Sequence, residues 1–470
     1  MNRRFFMKKS TSFLLLFLLM CSVPSCRPKE IPPTKGTVAK ERETPAKLQK
    51  NNPKTYKGSA AGKLLWPTGI PPVQYQFNRT IEETTETYVR ELTDPKYQGR
   101  SGGSEGNCKA ANWLAEQFEQ AGLLKLPSLN SWNQNYPTTV TSVLPGEAFL
   151  IAPGGTETKL VLGKEWIFRA SPEEIDITVS LSTDPMLYSE GNAIWDASEN
   201  LRSSTGKLSL TVGEVSDGIN YTNASGNPSR IIVTENIYEQ LKQEGYRIHL
   251  RLPDAIDEHG TASNVIGYLP GKDSSKAVVL GANFDGSGQC GSLLMPGAYN
   301  NASGVATLIQ TATWLAKSTE LPCDVIFAAF NTEDHKANGS SSFSDHLTAQ
   351  YEQIRMINLK CIGWKEKQLT VYGASSEAPL RKSLAGGLGL PYVDKEMGGD
   401  ELAFRKDNMS SVTLFQDACL SDPEVSSVLN STHDVAENLD FAMLDDIAKK
   451  LAAWVVERGD EPLVSYVVYW

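Results

Sequence analysis

The 470-residue sequence is sparing with the residues that most often build a catalytic or metal site: it has five histidines and seven cysteines. The cysteine spacing matches no zinc motif, which sets aside the small zinc-stapled domains. No Ser/His/acid or Cys/His pattern specifies a metal-free hydrolase. No internal repeat is present, and the apolar run Phe13 to Met20 is far too short to cross a bilayer. Positive charge is scarce outside the amino terminus. The formal net charge is −10; residues 1–25 hold four basic residues and no acid, and residues 27–58 hold nine basic and three acidic ones. That leaves 32 basic against 52 acidic residues for the rest of the chain, which argues against a nucleic-acid partner.

What is present begins with a targeting segment. Arg3, Arg4, Lys8 and Lys9 precede the short apolar core, and small residues follow it up to Cys26. Val23-Pro-Ser-Cys26 resembles the bacterial lipoprotein cleavage box, which implies lipidation of Cys26, membrane attachment through it and an extracytoplasmic place in the cell envelope. An ordinary secretory signal is the other reading. Residues 26–60, rich in Lys, Pro and Thr and without periodicity, are expected to be a disordered tether. Its basic excess suits either anionic lipid or plain solvent.

Two stretches organise the remainder. Gly281 to Gly304 follows the buried-strand run Ala277 to Leu280, turns through glycine-rich sequence, and enters a helical pattern with Val305, Leu308, Ile309, Ala312 and Leu315 on one face. Asp324 to Ser340 is a continuous apolar strand that stops at Glu333, Asp334 and His335. Strands that discharge polar residues at their carboxyl ends are where open α/β sheets place ligand sites.

The periodicity elsewhere predicts an amphipathic helix over Gly106 to Gly122, another over Leu439 to Val456, and a helix near Ala378 to Leu388. Strands are predicted at Met356 to Gly363, Gln368 to Tyr372 and Ser411 to Phe415. The alternation reads as an α/β layered domain. Residues 150–261 read as short strands with one helix, Glu235 to Gln243. The expected organisation is a leader over 1–25, the tether, a core domain over 61–149 and 262–470, and a β-rich insertion over 150–261.

The motifs resemble those of the co-catalytic zinc aminopeptidases of peptidase family M28. The frames that carry the resemblance are GANFDG from Gly281, PGAYNNASG from Pro296, the Glu333-Asp334 pair, INLKCIG from Ile357, GDELAF from Gly399, and NSTHDVAENLD from Asn430. Gly99-Arg100 resembles an amino-terminal segment of the same family. The resemblance implies a mixed, mainly parallel sheet flanked by helices, with two zinc ions at its carboxyl edge. It also implies that the insertion is of the protease-associated kind that shapes access to the cleft.

The departures from the family pattern decide what this implies for activity. Asn283 stands at a histidine ligand position, Asn300 at the bridging aspartate, Lys360 at a further aspartate and Asn430 at the final histidine. Asp334 matches a ligand glutamate, Glu333 matches the general base, Asp285 is kept, and Glu401 replaces a histidine. Zinc takes imidazole, thiolate or carboxylate, so amides and an ammonium do not suit it. The reading is therefore a degenerate peptidase that acts by binding a peptide or protein in its cleft, with no cofactor. The alternative is an active, zinc-dependent aminopeptidase whose site is rebuilt with His335 or His433. Glu333 and Asp334 are either a vestigial base and ligand or a purely structural acidic pair. Lys360 is expected to neutralise them.

Beyond Cys21 and Cys26, five cysteines remain: Cys108, Cys290, Cys323, Cys361 and Cys419. An odd number leaves at least one unpaired. Cys290 and Cys419, on predicted loops near the site, are the candidate pair; burial as small apolar residues is the other reading.

Overall fold

The computed structural model describes residues 64–462, apart from 79, 143, 169–173, 185–192, 199–207, 213–229, 254–255, 317–319, 334–337 and 407. The leader, the tether, Cys26, Asp334 and His335 therefore lie outside the described residues.

The core sheet is built from eight strands: β1 (Asn133–Ser142), β2 (Ile256–Leu269), β3 (Asp273–Asn283), β4 (Cys323–Phe330), β5 (Gln353–Leu359), β6 (Thr370–Gly373), β7 (Tyr392–Asp394) and β8 (Met409–Phe415). Their spatial order is β1-β2-β4-β3-β5-β8-β6-β7. The central strands β4, β3, β5 and β8 run parallel to one another. On one flank β1 and β2 are antiparallel, and on the other β6 opposes β8.

The parallel centre follows from sequence that is apolar on both faces. In β4, Val325, Phe327 and Ala329 join one core cluster, while Ile326, Ala328 and Phe330 join the opposite one. Six longer helices pack on these faces: α1 (Thr85–Leu92), α2 (Glu105–Ala121), α3 (Ser303–Leu315), α4 (Asn338–Leu347), α5 (Ala378–Leu388) and α6 (Phe441–Arg458). All but α4 bury side chains in the first cluster; α4 brings Phe343 and Leu347 to the second.

The ends of α2 show how local chemistry sets the boundaries. The Ser104 side chain accepts from Asn107 N at the start, and Gly122 ends the helix in the left-handed region at φ 93°. No helix among the described residues is long and apolar enough to cross a membrane.

Between β1 and β2 the chain forms a second eight-stranded sheet with its own apolar cluster, which includes Trp166, Phe168, Ile194, Ile231 and Leu250. This sheet begins at Glu147–Ile151 and closes with Arg247–Leu252, with the helix Glu235–Leu241 before the last strand. It thus begins before residue 150 and ends before residue 261. The reason is that Ile256–Leu269 pairs along β1 and so belongs to the core sheet.

Candidate functional site

Because β3, β4, β5 and β8 are parallel, the residues that follow them emerge at one edge of the sheet. Asn283 ends β3, Asn331 to Glu333 follow β4, and Lys360 and Cys361 follow β5. The glycine-rich loop after β3 is held down by Arg100, which is fully buried. Its guanidinium donates to Phe284 O at 2.8 Å, Pro296 O at 2.8 Å, Gly297 O at 3.0 Å and also Leu92 O. Burial lowers its pKa to about 10, with Asp434 and Asp285 pulling the other way, so the group stays cationic at neutral pH. Gly297 sits at φ 62°, and a Cβ there would lie 2.8 Å from Asn300 O. Only glycine fits that turn without strain.

The loop delivers a network of amides. Asn301 Nδ2 donates to Asn283 Oδ1 at 3.0 Å and to Leu359 O at 2.8 Å, which ties β3 to the end of β5. Asn283 Nδ2 donates in turn to Asp285 Oδ1 at 3.2 Å. Asn300 Nδ2 donates to Asn430 Oδ1 at 3.1 Å, and Ser287 Oγ donates to the same oxygen at 2.8 Å. Asn300 Oδ1 accepts from Cys361 Sγ at 3.6 Å. Beneath them, Asp434 accepts from Tyr299 N at 2.6 Å and from Asn300 N at 3.1 Å. Burial still raises the Asp434 pKa to about 6 against those backbone donors and Arg100.

Beside the amides lies a charged group. Lys360 Nζ donates to Glu333 Oε1 in an ion pair whose side chains are 20% and 12% exposed. Burial works to lower the Lys360 pKa, but the Glu333 carboxylate, first among the groups around it, more than reverses this, and the net direction is upward. Asp285 Oδ2 accepts from Glu333 N at 2.9 Å, which fixes the loop after β4. Asp400 is fully buried and feels both Glu333 and Lys360. Among the described residues, no donor meets either of its carboxylate oxygens in good geometry, although Ser340 lies near enough to favour the charged form. Burial, followed by Glu333, pushes its pKa up to about 7. Glu401 is held by Gly398 N at 2.7 Å and Gly399 N at 3.0 Å, and Asn358 Nδ2 lies 3.4 Å away.

The structure thus brings Asn283, Asp285, Asn300, Glu333, Lys360, Glu401 and Asn430 to one edge. His433 is exposed on the turn before Asp434, and Asp334 and His335 lie outside the described residues. Sequence reasoning passed over Ser287, Asn301, Asp400 and Asp434 as working parts of the site. Asp400 was within reach of it, since it lies inside the Gly399 motif next to Glu401. The expected Cys290–Cys419 disulfide is corrected: Cys419 is a free thiol, and both cysteines are buried. Cys419 Sγ instead donates to Gln416 O at 3.3 Å.

Among the described residues, the donors at Asn283, Asn300, Lys360 and Asn430 do not suit the zinc pair that the fold implies. The three asparagine side-chain oxygens at ligand positions already accept bonds from Asn301, Cys361, Ser287 or Asn300. The fourth position offers an ammonium, which binds no cation. Among the described residues, no three His, Cys, Asp or Glu side chains converge as a metal-holding group.

A mixed sheet with its polar site at the carboxyl edge of four parallel strands places the core among the aminopeptidase-like α/β folds. Residues 264–455 match the family model described as peptidase family M28. A zinc aminopeptidase from Bacillus subtilis superposes with a TM-score of 0.57 at 17% identity, covering 81% of this chain and 96% of that one. A peptidase M28 precursor from Shewanella amazonensis gives 0.55 at 14% identity, over 79% of this chain and 91% of that one. An aminopeptidase from Aneurinibacillus sp. strain AM-1 gives 0.52 at 16% identity, over 79% and 92%. At these identities the likeness is one of fold. A search of curated proteins finds no match.

Proposed function

We propose that the protein is a lipid-anchored, extracytoplasmic pseudo-peptidase that binds a peptide or protein ligand in its cleft and does not hydrolyse it. The observation that carries this reading is the Lys360 ammonium seated on Glu333. In a metal-dependent hydrolase a carboxylate takes a proton from water whose pKa the metal has lowered to about 7. Here the corresponding carboxylate is engaged by a cation of its own chain. Water without a metal keeps a pKa of about 15.7, beyond what one ion-paired carboxylate can overcome.

The expected result for purified protein incubated with zinc and dialysed is well below one zinc per chain, with no turnover of aminoacyl anilides. Stoichiometric zinc together with turnover would replace this proposal with the rebuilt metallo-aminopeptidase. The anchoring part is tested separately. Cys26→Ala is expected to release the protein from membranes or leave its leader uncleaved; unchanged detergent-phase partitioning would remove the lipid anchor from the proposal.

A further inference from the structure

Between α1 and α2 lies a groove that neither the candidate site nor the proposed binding role uses. Its volume is about 660 Å³, and Glu83, Glu86, Thr87, Glu91, Trp113 and Gln117 are among its lining residues. Trp113 and Gln117 stand one turn apart on α2 and so share a wall. The half-buried Trp113 ring packs against two tyrosines, with centroids 6.4 Å from Tyr88 and 6.5 Å from Tyr97. Their hydroxyls fix two of the carboxylates. Tyr88 Oη donates to Glu83 Oε2 at 2.9 Å, and Tyr97 Oη donates to Glu91 Oε1 at 2.7 Å. An indole edged by carboxylates suits an alkylammonium group, which gains from the ring face and the acids together.

The acids are within reach of solvent. The Glu86 and Glu91 side chains are 45% and 31% exposed, and they pair with Arg90 and Lys96 in surface ion pairs that exchange at little cost. Glu83 makes no ion pair among the described residues beyond its bond from Tyr88. Three glutamates against Arg90 leave the lining at −2. The chain arrives here along a strap. Leu65 bridges to Tyr392 on β7, Val73 N donates to Gly387 O of α5 at 2.9 Å, and Phe77 packs on Trp314 of α3 at 5.1 Å. Glu83 O then accepts from Gln310 Nε2 at 3.0 Å.

We propose that the basic segment 27–58 of the same chain docks in this groove, with a lysine ammonium over Trp113 and against Glu83. Charge and reach both argue for it. The segment holds nine basic and three acidic residues, opposite in sign to the groove. From Leu64 to Glu83 the strap is nineteen steps long. The groove therefore lies at most about 65 Å from Leu64, at roughly 3.4 Å per extended residue. A return path of that length uses residues 45–63 and still leaves Arg27, Lys29, Lys35, Lys40 and Arg42 to reach the groove. An occupant on the same chain binds intramolecularly, at an effective concentration that a separate basic peptide has to match. Docking takes up chain that would otherwise separate the core from Cys26, and so draws the core toward the membrane. That consequence rests on the lipid anchor proposed above; the docking does not.

The experiment treats the full chain, dilute and in detergent, with a carbodiimide, which joins a lysine to a carboxylate only where the two touch. The monomer band is digested and mapped by mass spectrometry. The Lys96–Glu91 and Lys109–Glu105 pairs serve as internal controls for the reaction and the fold. The expected result is links from lysines of 27–58 to Glu83, Glu86 or Glu91, about tenfold more abundant than links to the exposed Glu119 and Glu157. Linked controls with no link from 27–58 to the groove would overturn the proposal. So would links spread evenly over the exposed glutamates. Groove links confined to the dimer band would overturn it too, by making a second copy the occupant. The readout needs only the unsubstituted protein, so no variant has to fold for it to decide.

Discussion

Lys360→Met is expected to destabilise the protein by about 3–5 kcal/mol at pH 8, the range for stranding a buried charge without its partner. For a domain of this size that is a fall of roughly 5–10 °C in melting temperature. The ammonium pairs with Glu333 and also favours ionisation of Asp400. Methionine keeps most of the stem volume and removes the charge, leaving two neighbouring carboxylates with no cation between them. Both then resist ionising, and their proton affinities rise.

The sign of the pH effect follows from that rise. Between the unfolded carboxylate pKa and the raised folded one, the folded variant holds protons that the unfolded chain has released, so its stability falls as pH rises. The deficit against the unsubstituted protein should therefore be large at pH 8 and small at pH 5. Denaturant melts at the two pH values decide it. An equal deficit at both would mean that Lys360 contributes packing rather than charge. Lys360→Asp is expected to be worse at pH 8, because it adds a third carboxylate while Asn283, Asn300 and Asn430 still offer no zinc site.

Much of this architecture was legible because local pattern and global placement agree. Strand β4 reads as an uninterrupted apolar run since both faces of the sheet are covered, and α2 reads from its apolar spacing and from Gly122. The frame of the site was legible through motif spacing, which is why Asn283, Asn300, Lys360 and Asn430 were singled out. Other features depend on which strands become neighbours, and spacing carries no record of that. β5 and β8 are far apart in the chain yet adjacent in the sheet, so the bond from Gln416 N to Cys361 O leaves no mark on motif spacing. The burial of Asp400 likewise arises only when the segment Asp400–Phe404 packs against α4 and the end of β5.

Asp400 provides the sharpest test of how the site is built. Its carboxyl is fully buried, no donor among the described residues meets it in good geometry, and Glu333 and Glu401 add like charge while Lys360 and Ser340 oppose them. The net effect is a pKa of about 7 against an ordinary 3.8. Since the folded value is the higher one, the folded protein binds a proton between about pH 4 and pH 7 that the unfolded chain gives up. Stability should then decline as pH rises through that window and stay lower above it. Three pKa units correspond to about 4 kcal/mol at most. Asp434, raised to about 6, adds a smaller decline of the same sign. Asp400→Asn keeps the shape and removes the titration. This variant is expected to match the unsubstituted protein near pH 4.5 and to exceed it by about 1–4 kcal/mol at pH 8, with a flatter profile between. Urea melts across pH 4.5 to 8 supply the comparison. An unchanged slope in Asp400→Asn, or a loss of stability at pH 8, would show that the Asp400 carboxylate is ionised and satisfied in the folded protein.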